Sequence, residues 1–248
     1  MLFSLLEGNS LQDIIISLLL CLPMMMLALS AHEAAHGYVA YKCGDPTAYN
    51  MGRLTLNPAK HLDPIGFLSM LVFGYGWAKP VPVHTRNFKN PRRGMALTGA
   101  AGPAANLLLG ILCAVLGAFF FSIYYCMLIT SISAASVSEP GFLANCLYWL
   151  YTMFINGAMI NFIFMVFNLI PVPPFDGSRI AFVFLPDRIY FGIMRYERQI
   201  MMGILLALLF LSYAFNFSPF SWVANKLTMG IINPLSQIFF KLLLPAFT

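Results

Sequence analysis

The residues best suited to chemistry are His32, Glu33 and His36, which form the pattern H-E-x-x-H. On a helix, this spacing puts two imidazoles four residues apart on one face, where both can ligate one zinc ion. The adjacent glutamate is then placed to act as a general base toward water. With 4 histidines and 4 glutamates in 248 residues, random placement yields the pattern about once in a thousand sequences. The pattern therefore predicts metal-assisted hydrolysis.

The motif follows a long apolar tract, which indicates that a membrane-spanning helix carries it. Residues 14–31 contain no charged side chain, and neither do residues 94–138, 141–175 and 199–225. Each tract reaches the roughly 18 to 20 residues that a spanning helix needs. A fifth segment, 227–240, is short enough to be interfacial or a marginal span.

Composition supports the same class, since 60% of the residues are hydrophobic and only 9% are charged. These values are typical of polytopic membrane proteins. We therefore expect one membrane-embedded domain over residues 1–248, with a core at 11–177 and flanking helices at 178–248. The amino terminus lacks the basic region of a cleavable signal peptide. We interpret the five cysteines as small, mostly buried side chains.

The distribution of charge predicts the orientation of the chain. Eight of the 14 basic residues lie between the first two predicted spans, and four more follow the third. The positive-inside rule puts both basic segments in the cytoplasm and the amino terminus outside. The net charge of +5 is thus a topological signal, and we expect no nucleic-acid partner. The histidines then lie toward the cytoplasmic side, below the membrane surface.

Two further motifs reach the same depth in this topology. Residues 102–106 (GPAAN) lie near the cytoplasmic start of the second span, and residues 168–177 (NLIPVPPFDG) end the third. Asp176 is the natural third zinc ligand, because catalytic zinc sites use three protein ligands and keep one position for water. An Asp-Gly pair after prolines is also an ordinary turn signal. His61 and Asp63 could supply another ligand or a gate, although turn chemistry explains them more simply.

The three motifs HEAAHG, GPAAN and NLIPVPPFDG, in this order, resemble those of the site-2 protease family of intramembrane zinc metalloproteases. The segments GRLTLNPAKHLDPIG and GWAKPVPV resemble a compact bacterial type without a PDZ domain. The resemblance implies one zinc ion (Zn²⁺) per chain, ligated by His32, His36 and Asp176, with Glu33 as the base. It also implies that Asn106 and Asn168 hold the substrate strand or its oxyanion.

The implied fold is an all-α polytopic membrane protein with a three-helix catalytic core and flanking helices, in a bacterial cell membrane. The implied partners are the lipid bilayer and a transmembrane protein or peptide substrate, such as a tethered regulator or a leftover signal peptide. Two other classes of function stay open at this point. Ionisable groups inside a membrane could form a zinc transport path, and a zinc-stabilised protein could bind membrane clients without cutting them.

Valines alternate with prolines within the segment 71–85 (LVFGYGWAKPVPVHT). We expect a short re-entrant β-like element between the first two core spans, which would receive an unwound substrate by strand addition. The alternative is a proline-rich loop that closes on the core. Within this segment, Tyr75 and Trp77 are candidate interfacial anchors.

Overall fold

A computed structural model describes residues 10–73, 78–133, 141–196 and 219–247, together with isolated positions between 199 and 214. The candidate anchors Tyr75 and Trp77 lie outside the described residues, and so does much of the predicted span at 199–225.

The described residues are predominantly helical. The helices, in chain order, are α1 (Leu11–Cys43), α2 (Thr47–Asn50), α3 (Pro64–Phe73), α4 (Pro91–Ser133), α5 (Phe142–Asn168), α6 (Asp176–Ala181), α7 (Asp187–Met194) and α8 (Pro219–Leu243). Single 3-10 turns occur at Pro58–Lys60, Thr85–Asn87, Phe182–Phe184 and Leu244–Ala246. Among the described residues, four stretches are long and apolar enough to cross a membrane: Leu11–Cys43, Pro91–Thr130, Phe142–Asn168 and Pro219–Ala246. The chain is an integral membrane protein, as its composition predicts.

The carboxyl-terminal spans differ from the prediction. The fourth candidate span runs over Pro219–Ala246, so residues 227–240 are the middle of one long helix and not a short separate segment. The charge of Lys226 interrupts the apolar pattern in the sequence but does not end the helix. Its ammonium lies 6.0 Å from the centre of the Trp222 ring, one turn earlier. A long cationic side chain can thus be carried by a spanning helix while its charge is stabilised on an aromatic face.

The predicted β-like element is wrong for the part of it that the structure describes. Residues 79–84 have no regular secondary structure, the described residues contain no strand, and Ala78 forms only an isolated antiparallel bridge with Leu62. Pro80 and Pro82 have no backbone N–H to donate to a ladder. The N–H of Val81, between them, donates to the Glu33 carboxylate (2.9 Å). The segment is therefore a proline-rich loop that closes on the core.

Helices α1, α4, α5 and α8 pack around one apolar core. Its buried members are small or sulfur-containing side chains with a few large ones: Met24, Cys113, Ala114, Ala118, Ala158, Phe162, Ala224 and Ile232. Of the five cysteines, Cys21, Cys113 and Cys126 are buried, and all five are free thiols. Small residues allow close helix approach where lipid provides no hydrophobic driving force. This packing fixes α1 against α4 and α5, which carry the motifs.

The connection between α1 and α4 is held by a buried carboxylate. Asp45 follows the end of α1 and accepts hydrogen bonds from the His84 N–H (2.7 Å), the Asn87 amide (2.8 Å) and the Thr47 N–H (3.1 Å). Burial acts to raise the pKa of Asp45, but these hydrogen bonds outweigh it and hold the pKa below its ordinary value. Asn90 then caps α4 by accepting from the Arg93 N–H (3.1 Å). The start of α4 is thus tied to the end of α1.

Candidate metal centre

Three predicted ligand atoms from distant parts of the chain meet at one point. His32 Nε2 and His36 Nε2 on α1 lie 3.0 Å apart, and each lies 3.0 Å from Asp176 Oδ2 at the start of α6. Among the described residues, this is the one group of three or more His, Cys, Asp or Glu side chains that could hold a metal ion. All three side chains are buried, with 4–6% exposure. The helical spacing thus brings the histidines together as predicted, and the third group is Asp176.

The opposite edge of each imidazole is fixed by a hydrogen bond. His32 Nδ1–H donates to Asn106 Oδ1 (2.6 Å), and His36 Nδ1–H donates to the Thr98 carbonyl (2.6 Å), both on α4. With its proton on Nδ1, a neutral imidazole presents a free lone pair at Nε2. In that neutral form, both histidines turn unprotonated nitrogens toward the carboxylate oxygen of Asp176, as metal ligation requires.

This donor set fits a zinc ion. Two imidazole nitrogens and a carboxylate oxygen are the ligand types of catalytic zinc sites with a position left for water. Ligands on a tetrahedral zinc ion with bonds of about 2.0 Å lie about 3.3 Å apart, close to the 3.0 Å separations here. Three buried lone pairs that converge in this way repel one another unless a metal ion or shared protons lie between them. Other divalent ions also accept nitrogen and oxygen ligands.

A glycine lets α4 approach the histidines. A Cβ atom at Gly102 would lie 2.5 Å from His32 Cε1 and 2.6 Å from Nε2 of both His32 and His36. Any side chain there would collide with the two rings. One turn later, Asn106 reaches His32, so the GPAAN motif supplies both the close approach and the hydrogen bond.

Asp176 owes its position to the break after α5. The prolines of residues 169–175 end that helix, and α6 restarts the chain at Asp176. Phe175 is buried against Phe167, with ring centroids 4.4 Å apart in a T-shaped contact. The second carboxylate oxygen, Oδ1, lies 3.7 Å from Arg179 Nη1. Oδ2 is thereby left to face the histidines.

Glu33, the predicted base, is half-buried beside the histidines and has a partner outside α1. Its Oε2 accepts a hydrogen bond from the Val81 N–H (2.9 Å), across 48 residues of sequence. The H-E-x-x-H pattern predicts the position of Glu33, but it contains no signal for this contact.

The two predicted substrate-binding asparagines lie in different surroundings. Asn106 is fully buried, and its Nδ2 donates to Asn161 Oδ1 (2.9 Å) and the Ala28 carbonyl (3.3 Å) while its Oδ1 holds His32. These contacts favour an orienting role over substrate contact. Asn168 is half-buried at the end of α5 and donates to the Phe164 carbonyl (3.0 Å).

Sequence reasoning missed Asn161, which is fully buried on α5 and donates to the Gly157 carbonyl (2.8 Å). An amide inside an uncharged span was the available signal, because polar groups at that depth are costly unless paired. Asn145, Asn156 and Asn168 on the same helix share that signal, so it does not single out Asn161. The hydrogen bonds thus run from His32 on α1 through Asn106 on α4 to Asn161 on α5.

His61 and Asp63 have the structural roles that turn chemistry predicts. His61 is buried, and its Nε2–H donates to the Thr55 carbonyl (2.8 Å). Asp63 Oδ1 accepts from the Ile65 and Gly66 N–H groups (3.0 and 2.8 Å) at the start of α3. Neither residue belongs to the metal-ligand group. His84 is exposed in the loop before α4.

Comparison with known proteins gives consistent results. The chain is similar to YwhC of Bacillus subtilis (strain 168), which is provisionally named a zinc metalloprotease. The two sequences are 42% identical over 156 residues, which are 63% of this chain and 64% of YwhC. Rip2 of Mycolicibacterium smegmatis, named in the same way, is 27% identical over 157 residues, 61% of this chain and 52% of Rip2. The chain thus matches about half to two thirds of the length of these relatives. No solved structure matches.

The family comparison covers most of the chain. The sequence profile of Peptidase family M50 matches residues 20–212, a range that contains all three motifs. This match confirms the resemblance to the site-2 protease family, and the chain belongs to peptidase family M50.

Proposed function

We propose that this protein is a zinc metalloendopeptidase that hydrolyses peptide bonds within or near the transmembrane segments of other membrane proteins. The observation that carries the proposal is the convergence of His32, His36 and Asp176 at 3.0 Å separations, with Glu33 beside them. Family membership supports the reaction class, and the four long apolar helices support a substrate that lies in the membrane.

The chemistry divides between the metal and the side chains. His32, His36 and Asp176 would hold the zinc ion, which when bound lowers the pKa of a water molecule and polarises a carbonyl group. Glu33 takes a proton from the attacking water and delivers it to the leaving amine. Asn106 keeps the Nδ1 proton of His32 in place, so that Nε2 stays available as a ligand.

Asn168 is the remaining candidate for contact with the substrate. It is half-buried at the end of α5, eight positions before Asp176, and its Nδ2 is engaged with the Phe164 carbonyl. A donor of this kind that turned toward a developing oxyanion would contribute about 3 to 4 kcal/mol at comparable sites. We propose this role for Asn168 and an orienting role for Asn106.

The basic residues between α1 and α4 support a cytoplasmic active site with the amino terminus outside. Substrates would then be single-span proteins or leftover signal peptides that are cut toward the cytoplasmic face of a bacterial cell membrane. A substrate helix must unwind first, because its peptide bonds are hydrogen-bonded and shielded. A cysteine introduced in the loop that joins α1 and α4 should react with membrane-impermeant maleimide only in inverted vesicles.

The direct test combines metal content with cleavage. Purified wild type should bind about one zinc ion per chain and cleave a reconstituted single-span reporter. Glu33→Gln should keep its zinc and lose cleavage by at least about 10²-fold, since it removes a general base. His36→Ala and Asp176→Ala should lose zinc as well as activity.

Other outcomes would redirect the assignment. Zinc loss in Glu33→Gln would contradict its role as a base that does not ligate the metal. Zinc binding by the wild type without any cleavage would favour a protein that binds membrane clients. A well-folded wild type that binds no metal would remove the basis for hydrolysis.

A further inference from the structure

The backbone of residues 78–84 passes close to Glu33, the candidate base, and is hydrogen-bonded to it. Pro80 and Pro82 flank Val81, so Val81 carries the sole backbone N–H of this tripeptide. That N–H donates to Glu33 Oε2 (2.9 Å). Glu33 is thereby hydrogen-bonded through one oxygen, and its other oxygen is left for a second partner.

The segment is held on both sides of Val81. The buried Arg53 donates through Nη2 to the Lys79 carbonyl (2.6 Å) and more weakly to the Pro80 carbonyl (3.4 Å). The Lys79 N–H donates to the His61 carbonyl (2.8 Å). Beyond Val81, the His84 N–H donates to the Asp45 carboxylate (2.7 Å). The Val81 amide therefore sits between two anchored points.

Side-chain packing restricts the same segment from the direction of α1. The Val81 side chain is buried, and a Cβ atom at Gly37 would lie 3.3 Å from its Cγ1 and 2.7 Å from Leu54 Cδ2. Gly37 directly follows His36, so the segment packs on α1 next to the metal ligands. The loop has little room to move relative to Glu33.

We propose that the Val81 amide is a fixed donor that orients the Glu33 carboxylate, and that Arg53 is the positioning residue that keeps this amide in place. This inference rests on the proposed function, in which Glu33 is the general base. A base works only within hydrogen-bond reach of the proton that it takes, about 2.6 to 3.2 Å. A misplacement of about 1 Å can lower the rate about 10²-fold.

Arginine suits this task better than lysine. A buried guanidinium must find hydrogen-bond acceptors, because burying an unpaired charge is costly. Both hydrogen bonds come from Nη2, which the planar guanidinium holds in a fixed direction toward two neighbouring carbonyls. A lysine ammonium on a flexible stem does not reproduce that fixed geometry. Arg53 thus donates to the carbonyls of Lys79 and Pro80, the two residues directly before Val81.

The chain offers a matched pair of variants to test the amide. Val81→Pro and Val83→Pro each remove one N–H from a residue that already follows a proline. The Val81 N–H donates to Glu33, whereas the Val83 N–H has no hydrogen-bond partner within the described part of the chain. The probe is a single-span reporter peptide in liposomes that the wild type cleaves and Glu33→Gln does not.

We expect Val81→Pro to lower kcat about 10- to 100-fold, with KM within about twofold and about one zinc ion per chain retained. Val83→Pro should keep kcat within about twofold of the wild type. Equal kcat values in the two variants would overturn the inference while leaving the proposed function intact. Absence of any Glu33-dependent cleavage by the wild type would overturn both.

Arg53→Lys tests the second half of the proposal and does not depend on the folding of Val81→Pro. It should lower kcat with KM, zinc content and unfolding temperature near the wild-type values. In a double-mutant cycle, the loss should persist in the Val83→Pro background and largely disappear in the Val81→Pro background, because both changes then act through one amide. Unchanged kcat in folded, zinc-loaded Arg53→Lys would refute its positioning role.

Discussion

The orientation of the two histidines at the candidate metal centre depends on their hydrogen-bond partners on α4 as much as on their i, i+4 spacing. The Nδ1–H groups of His32 and His36 donate to Asn106 and to the Thr98 carbonyl, both on α4. In the apolar interior of a membrane protein, each such donor needs an acceptor that is already in place. Asn106, the acceptor for His32, is itself hydrogen-bonded to Asn161.

Asn161→Leu should therefore weaken zinc binding although Asn161 does not touch the metal ligands. The change removes the nearer of the two acceptors for Asn106 Nδ2 and leaves only the Ala28 carbonyl, so the amide that holds His32 loses orientation. Loss of a direct partner of a metal ligand typically weakens metal binding about 10- to 100-fold. Asn161 acts one hydrogen bond further out, so we expect a loss of up to about tenfold. Competition with a chromophoric zinc chelator measures the effect.

Asn161→Asp serves as the conservative control for that measurement. Its side chain has the same shape and keeps an acceptor oxygen for Asn106, so it should bind zinc more tightly than Asn161→Leu. An Asn161→Leu protein with the wild-type Kd for zinc would show that Asn106 orients His32 without help from α5.

The approach of α4 to α1 is the feature of the helices on which the site depends most. At Gly102 the backbone of α4 lies so close to both imidazoles that a Cβ atom would be 2.5–2.6 Å from their ring atoms. Gly102→Ala should separate the helices or tilt the rings, and we expect at least about a tenfold loss of zinc affinity. The readout is zinc content after dialysis against a weak chelator.

Gly117→Ala is the matched control on the same helix. A Cβ atom there would lie 3.6 Å from its nearest neighbour, the Ile155 nitrogen, which is ordinary contact distance. The alanine also has the higher helix propensity, by about 1 kcal/mol. Zinc retention in both variants would contradict the steric role of Gly102.

The parts of the site that can be predicted from the sequence are those that local patterns encode. The i, i+4 spacing of His32 and His36 follows from helix geometry alone, and the apolar tracts gave the first three spans. The position of Asp176 is harder to predict, because prolines indicate where a helix breaks and not where the chain restarts. The Val81–Glu33 contact spans 48 residues, and no sequence period encodes it. The alternation of proline and valine at 80–83 resembles the pattern of a strand, but the prolines remove the donors of a ladder.

At the scale of the whole molecule, the metal centre joins distant parts of the chain. His32 and Asp176 are 144 residues apart, and they link the first candidate span to the segment after the third. Without a metal ion or shared protons, the converging lone pairs of three buried ligands repel one another. The zinc ion should therefore stabilise the fold as well as supply chemistry.

Removing the metal should lower the unfolding temperature of the wild type. A ligand that binds only the folded state stabilises it by RT ln(1 + [L]/Kd), about 4 kcal/mol at a free concentration 1,000 times Kd. Treatment with 1,10-phenanthroline in detergent, followed by thermal unfolding, should show the loss, and added zinc should reverse it. Asp176→Ala should respond little to the chelator because it holds the metal weakly. An equal response in that variant would mean that the stabilising ion is bound elsewhere, and an unchanged wild type would mean that helix packing alone holds α1 to α6.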